Sequence, residues 1–491
     1  VSENISKPTR TLSIHIKKST PSMKKESIGV NIPNAGDIPI PLFIVFRAMG
    51  ILSDQEIMSY CTFSTTDNIP QVFLPYLDAC VHDASFINTQ YEAMTYISMF
   101  VKGRSITRTR RLLADYLFPH VGEMNYIEKA YHLGYMVNRL MSVAIGIEPD
   151  TDRDSYRYKR LSLIGPMMKN LFREYYKQQQ ISLRKFFEKR YEFNKQLYND
   201  LTKLIYEKHS EAFRERLVES GFQKAFKGNW GAYPHTKIVG AVQDLNRISH
   251  NAMISHLRKT NLPLDSSVKL VGPRVLHGSQ WGIMDPIDTP DGGNIGLHKY
   301  LSIMTYISKD TSREPLVEWL YNNVGLIPLN RITPDRISQF TKIFVNGYWC
   351  GCISDPSKTV TMLKLYRRHG LIPMSTSVMF DNVRNTIIIG CDGGRLCRPI
   401  FYKDELTKEF AFSNKTTWEK IYKTLSKGEK EKVTSLWEKV ITGFHDKKEN
   451  YNMYDTRIYD WKDLYEIPKE ENIKTNKCLL EYVDTQESEG A

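Results

Sequence analysis

The sequence predicts an α+β chain of several domains, in which mixed helices alternate with small sheets. Three observations carry that expectation. A chain of 491 residues exceeds one ordinary domain. The stretch near 161–225 is almost wholly helical in its patterning. Beyond 300 it gives way to short apolar runs joined by turn residues. The clearest is KIFVNGYWCGCI, where Asn346-Gly347 is a type I′ hairpin signal.

Taken in order, residues 1–30 are basic and polar, with an alternating stretch TLSIHIKK that reads as a strand. GDIPIP breaks the chain and leads into an apolar segment ending FRAMG. Ser53 and Glu56 have capping-box spacing ahead of a helix. In YHLGYMVNRLMSVA, Leu133, Met136, Val137, Leu140 and Met141 follow the i, i+3, i+4, i+7, i+8 pattern of one helical face. The charged run DTDRDSYRYKR marks a boundary. Leu197, Leu201, Leu204 and Ile205 then form an apolar stripe among Lys, Glu and Asp. Periodicity fades at GNWG and returns in VGAVQDLNRISHNAMISHLRK, a predicted helix ended by Pro263. NTIIIG reads as a strand, and the Lys- and Glu-rich 403–450 as solvent-facing helix.

Composition narrows the function classes. A formal charge of +12 favours an anionic partner, nucleic acid before an acidic membrane. No apolar run approaches the roughly 20 residues that span a bilayer, and no signal peptide is visible, so no membrane partner is expected. Seven scattered cysteines suit a reducing, intracellular compartment. Cys350 with Cys352, and Cys391 with Cys397, miss the paired C-x₂-C spacing of structural zinc and read as ordinary buried thiols. The opening Val1 and the ending EYVDTQESEGA fit a piece of a longer protein.

The densest motif is LVGPRVLHGSQWGIMDPIDTPDGGNIGLHKY at 270–300. Asp285, Asp288 and Asp291 fall at steps of three, but Pro290 would break a helix that aligned them. EF-hand spacing fails too, so turn-forming use of these carboxylates is expected, with no metal held here. Neither G-x-x-x-x-G-K-[ST] nor G-x-G-x-x-G occurs, and HGSQW lacks the second Gly of a nucleophile elbow. No set of residues makes a self-sufficient catalytic centre. Just before this loop lie Arg247, His256, Arg258, Lys259, Lys269 and Arg274, with the amides of Gln243, Asn246 and Asn261 among them. Cations mixed with amides suit phosphate and base-edge contact; the plain alternative is a solvated helix face. A second basic cluster, KGRSITRTRR at 102–111, contains no acid.

These stretches resemble one family. GNWG, QDLNRISHNAMISHLRKTNLPL and the 270–300 motif, with its P-x-[ED]-T-P-[ED]-G core and following N-I-G-L, are similar to the second-largest subunit of multisubunit DNA-dependent RNA polymerases. FRAMGILSDQEI, LGYMVNRLM, DRDSYRYKRL, FVNGYWCG, DGGRLCRP and EYVDTQESE extend the resemblance in the same order over nearly the whole chain. It implies an incomplete copy of that subunit's architecture. Residues 1–160 would be the lobe, 161–225 the C-terminal part of the protrusion, and 226–306 the fork. Then would follow 307–402 as external 1, 403–470 as external 2, and 471–491 as the start of the hybrid-binding region. A G-Y-N-x-E-D stretch is expected further downstream.

The implied function is to position the DNA template and the RNA–DNA hybrid, during transcription, at an active site shared with the largest subunit. Smaller polymerase subunits are further implied partners. The implied cofactor is Mg2+ at the assembled active site, with its ligands mainly on the largest subunit, because no D-x-D-x-D run occurs here. The isolated chain is therefore expected to be inactive. His277, Trp281, Asp288, Pro290, Asp291 and Gly292 would shape the fork loop, with Trp281 as its packing anchor. Asp288 and Asp291 stand where the family usually has Glu, and Asp285 where Cys is common. HGSQWG and DTPDGGNIGLHK have the flavour of giant DNA virus polymerases. The nucleus is the implied location if the protein is cellular, and the host cytoplasm, a viral factory or the virion if it is viral. Two rivals stand beside this reading: a non-enzymatic basic nucleic-acid scaffold, and a metal-dependent hydrolase built on the three aspartates.

Overall fold

The structure is a computed structural model that describes residues 11–17, 26–63, 70–193, 195, 202, 205–206, 216–368, 372–403, 410 and 480–490. Two compact units emerge: Val1–Tyr158 with Tyr306–Asp392 and Leu396–Ala491, and Lys159–Thr305 with Gly393–Arg395. The mixture of helices with small sheets is the α+β fold the sequence predicts.

The first unit opens with an antiparallel sheet of β1 (Ser13–Lys17), β2 (Ser27–Asn31) and β3 (Ile40–Pro41). Helices α1 (Leu42–Met49), α2 (Asp54–Thr62), α3 (Leu74–Ala84), α4 (Gln90–Phe100), α5 (Ile106–Asp115) and α6 (Tyr126–Ala144) follow. Their apolar faces meet Ile28 and Val30 of β2 in one core. Ser53 does precede α2, but its side chain caps nothing; the neighbouring Asp54 is drawn to the Arg47 guanidinium instead. The reciprocal capping box sits at Thr89 and Glu92, before α4. The predicted face of α6 is inside: Leu133, Val137 and Met141 are buried, with Met136 and Leu140 packed against the same core. Gly134 lets α6 approach α2, because a Cβ there would lie 2.2 Å from the Tyr60 carbonyl oxygen.

Lys129 is fully buried in this core. Its ammonium donates to the carbonyls of Leu113 (2.9 Å), Ala114 (3.1 Å) and Glu123 (3.0 Å). Two of these acceptors are at the end of α5, where carbonyls lack helical partners and a cation is favoured. Lys129→Met keeps the volume and removes the donor. It should lower stability by about 2 kcal/mol, the cost of unpaired buried carbonyls; a loss under roughly 0.5 kcal/mol in urea unfolding would show the ammonium to be dispensable.

The unit is completed from beyond residue 306. Strands β8 (Thr341–Val345) and β9 (Tyr348–Ile353) form the predicted hairpin, with Asn346 (φ 50°) and Gly347 (φ 79°) both left-handed as a type I′ turn requires. They belong to a five-stranded sheet with β7 (Ile327–Pro328), β10 (Ser377–Asp381) and β11 (Thr386–Gly390); β11, the predicted NTIIIG strand, runs parallel to β8. Helices α10 (Glu314–Asn323) and α11 (Pro356–Arg368) pack on it. Strand β12 (Leu396–Ile400) pairs with β6 (Tyr306–Ile307) and with β13 (Glu481–Asp484), which leads into α12 (Thr485–Glu489). Cys350, Cys352, Cys391 and Cys397 are buried, as their spacing suggested. The Lys- and Glu-rich 403–450 and the stripe positions Leu197, Leu201 and Leu204 lie outside the described residues, apart from 403 and 410.

In the second unit α7 (Ile164–Phe193) and α8 (Leu217–Phe226) pack through Leu171, Tyr175 and Ala225 onto Trp230. The helix expected over VGAVQDLNRISHNAMISHLRK is much shorter: only α9, His250–Leu257, forms. Local side-chain bonds compete with its first half. The Asn246 carboxamide oxygen takes the Ile248 amide at 3.0 Å, and the Ser249 hydroxyl takes that of Ala252, which starts the helix there. The helix carries no buried apolar face, since Ile248 just ahead of it is 90% and Leu257 69% exposed.

Candidate nucleic-acid interface

The 270–300 motif is one excursion of the chain, closed at its base. Strand β4 (Lys259–Asn261) pairs antiparallel with β5 (His298–Tyr300), matching Lys259 with Tyr300 and Asn261 with His298. The Leu262 amide donates to Leu297 O (3.0 Å), the Asp285 amide to Tyr300 O (2.8 Å) and the Ser302 amide to Ile283 O (2.9 Å). Ile283, Met284 and Leu297 are the apolar side chains buried beneath it.

Arg274 pins the excursion from within. One guanidinium nitrogen donates to Gly293 O (2.7 Å) and Ile295 O (2.9 Å), the other to Ser266 O (3.1 Å) and Val268 O (3.2 Å). Thr289 bridges the motif's middle to its end: its hydroxyl donates to His298 O (3.1 Å) and accepts the Gly296 amide (2.9 Å). Gly296 has φ 70° and sits against Arg274, where a Cβ would fall 2.2 Å from the Arg274 carbonyl oxygen. The Lys299 ammonium, itself buried, donates to Val275 O (3.3 Å).

The three aspartates act separately. Asp285 Oδ1 accepts the amides of Ile287 (2.9 Å) and Asp288 (3.2 Å), the turn-forming use expected of it. Asp288 Oδ2 accepts the Ser255 hydroxyl (3.1 Å) and so ties α9 to the loop. Asp291 precedes a short turn, 292–294, and its side chain makes no capping bond there; Gly292 supplies the left-handed φ of 75°. His277 Nδ1 accepts the Ser279 amide at 3.1 Å. Pro290 is half-buried.

Two expectations need correction. Trp281 is not a packing anchor: it is 78% exposed, while its neighbours Ser279, Gln280, Ile283 and Met284 go inside. The loop is held by backbone bonds and by Arg274, so no aromatic plug is required. Arg258 does not present its charge outward. Its Nη2 donates to Ser302 O and to Thr305 O (3.3 Å), and its Nε to Leu301 O (3.4 Å). Arg258 and Arg274 thus turn most of their donors to backbone carbonyls.

Gln243, Asn246, His256 and Asn261 come together around Gly240. His256 receives the Asn246 amide on Nδ1 (3.1 Å), and its Nε2 lies 3.0 Å from Gln243 Oε1. Gln243 in turn donates to Gly240 O (3.0 Å), and the Asn261 carboxamide approaches Gly240 as well. Gln243, Asn246 and Asn261 are exposed, as are Arg247 and Lys269, and Lys259 is half-buried beside them in β4. His298 was given no role from sequence. Burial, aided by the charge of Lys259, lowers its pKa. Thr289, Gly296 and Lys299 were likewise inside the quoted motif without a role. The glycine of NIGL was the available signal, since an obligatory glycine often marks a close backbone approach.

Comparison with known proteins gives three family matches in sequence order. Residues 15–162 match RNA polymerase Rpb2, domain 2. Residues 243–307 match RNA polymerase Rpb2, domain 3, and 343–404 match domain 4. Among curated proteins, the chain is 34% identical over 376 residues to DNA-directed RNA polymerase II subunit RPB2 of Encephalitozoon cuniculi, covering 74% of this chain and 31% of that one. The protein of the same name from Schizosaccharomyces pombe is 33% identical over 376 residues, covering 74% and 30%. That of Eremothecium gossypii is 29% identical over 461 residues, covering 92% and 34%. The chain thus spans about a third of the length of these relatives. All three are cellular proteins, which lends the giant-virus resemblance no support.

Proposed function

Because this chain belongs to the family of RNA polymerase second-largest subunits, over the stretch that carries Rpb2 domains 2 to 4, we propose that it positions template DNA and the RNA–DNA hybrid beside a nucleotidyl-transfer site completed by the largest subunit. The observation that supports this reading is the joined cluster of Gln243, Asn246 and His256, in a stretch that also exposes Arg247 and leads through Lys259 into the excursion pinned by Arg274, which carries Lys269. Amides and an imidazole offer base-edge and sugar contacts, cations offer phosphate contacts, and the pinned excursion holds both in place.

The chain's own contribution is alignment. Phosphoryl transfer rests on positioning and charge stabilisation, and magnesium would supply the latter at the assembled site. The three aspartates do not fit that ion, since Asp285 Oδ1 is taken by two amides and Asp288 Oδ2 by Ser255. Its ligands belong, on this reading, to the largest subunit. The same reading takes the lobe as 1–160, the protrusion part as 161–225, the fork as 226–306, the external regions as 307–402 and 403–470, and the start of the hybrid-binding region as 471–491. It places the assembly, with its smaller subunits, in the nucleus. No helix among the described residues is long and apolar enough to cross a membrane.

The test is a polymerase assembled with Lys259→Gln and Lys269→Gln. If each cation meets a phosphate, the slope of log affinity against log salt on a nucleic-acid scaffold falls by about 0.9 for each contact removed, and elongation slows. An unchanged slope with unchanged elongation would remove this surface from the nucleic-acid path and favour the plain scaffold reading.

A further inference from the structure

The second unit carries a cavity that has no part in the loop surface just described. One wall is α7, where Met167, Asn170, Leu171 and Glu174 fall at i, i+3, i+4 and i+7 and so share a face. The other wall is the chain from 230 to 238, which doubles back on itself. Trp230 and Ile238 form an isolated antiparallel bridge, with the Ile238 amide donating to Trp230 O at 2.9 Å. Gly231 (φ 112°) permits the return, since a Cβ there would fall 2.5 Å from Thr236 O. Between the walls lies an open cavity of about 380 Å³. Leu171 and Trp230 are the buried apolar part of its lining.

Glu174 ties the two walls together. Its Oε2 accepts the Ala232 amide and the Thr236 hydroxyl, both at 2.9 Å. Two donors on one oxygen fix the carboxylate in place and leave Oε1 without a partner among the described residues. The lining's other charge is the exposed ammonium of Lys237. No ion pair joins it to Glu174 or to another described residue. The exposed Asn170 carboxamide, one turn before Glu174 on α7, offers both a donor and an acceptor.

What the cavity would hold follows from this set of groups. Sites for small ligands begin at about 300 Å³ and combine an apolar lining with a few placed polar groups. A plain organic cation would be drawn to Glu174 and opposed by Lys237, and a plain anion the reverse. A small molecule that carries both charges on an apolar body answers both. Its ammonium meets a carboxylate already held by the fold, so little further ordering is required.

We propose that the cavity between α7 and the 230–238 loop binds a free α-amino acid with an apolar side chain, its ammonium on Glu174 and its carboxylate toward Lys237. The loop leads on to the Gln243–His256 cluster, so the occupant braces the approach to that surface without being part of it.

The test uses the full chain with L-phenylalanine as the probe and binding read by calorimetry. One site per chain should saturate. Phenethylamine, which lacks the carboxylate, and 3-phenylpropionate, which lacks the ammonium, should both bind more weakly, the second by more. Glu174→Gln keeps an oxygen for Ala232 and Thr236 and removes the charge, and phenylalanine affinity should fall by about tenfold or more. Lys237→Met changes an exposed position. It should weaken phenylalanine by about two- to fivefold and leave phenethylamine no weaker, and it decides alone if Glu174→Gln does not fold. Absence of saturable phenylalanine binding in the millimolar range overturns the proposal. So does phenethylamine binding as tightly as phenylalanine, since the site would then take a plain amine such as the N-terminus of a partner chain. Unchanged affinity in both variants also overturns it, because the probe would then sit elsewhere.

Discussion

Arg367→Ala should lower the stability of the first unit by about 3–5 kcal/mol, among the largest effects any single substitution in this chain can have. Arg367 is 1% exposed and lies between the carboxylates of Glu481 and Glu487, 5% and 7% exposed. Its Nη1 donates to Glu487 (2.6 Å) and to Thr376 O (2.7 Å), its Nε to Glu481 (3.2 Å) and its Nη2 to both carboxylates. Glu487 also accepts the Val378 amide at 3.2 Å. Removing the guanidinium leaves two buried carboxylates facing only the more distant Arg368 (3.4 Å) and Lys364 (3.8 Å), so much of their desolvation is then uncompensated. The remedy identifies the cause: Glu487→Gln placed on top of Arg367→Ala should restore part of the loss, because a buried amide carries no charge. If Arg367→Ala unfolds in urea within roughly 0.5 kcal/mol of the parent, the cluster is not what holds β13 and α12 in place.

The same cluster sets a pH dependence. Burial alone would raise the Glu481 pKa, but Arg367 and Arg368 together outweigh it and hold the carboxyl below its ordinary value of 4.5. The native state therefore binds fewer protons here than the unfolded chain. The stabilisation is complete above about pH 4.5 and is lost as the pH falls further through the folded pKa.

Gly296→Ala should disable the pinned loop. The new methyl would face the Arg274 carbonyl oxygen at 2.2 Å on a residue already at φ 70°. A left-handed non-glycine residue costs about 1–2 kcal/mol and overpacking about 1–3 more. That total is enough to break the short Thr289 and Arg274 bonds that shape the excursion. In the assembled polymerase, elongation should drop at least tenfold, with faster amide exchange confined to 262–297. Normal exchange and normal elongation would mean that the loop's shape is immaterial to the reaction. Gly292→Ala makes a useful contrast: it too has positive φ (75°) but meets nothing within 4 Å, so only the backbone penalty applies.

Much of the fold was legible because its signals are local. Asn346-Gly347 fixes a turn by its own φ preferences, and the α6 face repeats within two turns of itself. What misled were residues whose behaviour is decided at a distance. The resemblance makes Trp281 the packing anchor of the fork loop, yet Arg274 and the β4–β5 pairing already close the loop and the ring is exposed. By sequence, Arg258 and Arg274 belong to the mix of cations and amides that suits phosphate and base-edge contact. Their donors go to carbonyls between 6 and 47 residues away, which composition cannot reveal. The overlong helix ahead of α9 failed for a local reason that was present but unweighted: Asn246 and Ser249 compete for the backbone. Arg367 and its carboxylates, 114 and 120 positions apart, left no pattern at all.

The first unit is interrupted in sequence by the second, and this governs the order in which it can be made. Helices α1 to α6 share their core with Leu329, Ile337 and Trp349, and Tyr131 donates its hydroxyl to Ile332 O at 2.6 Å, 201 residues downstream. A ribosome adding about 5–20 residues per second needs roughly 10–40 seconds to cross that gap. For most of that interval the earlier helices are out of the exit tunnel with one side of their core uncovered. The nascent chain is then most open to holdase chaperones and to misassembly, and slowed translation between residues 159 and 320 would lengthen the exposure without altering a single residue of the product.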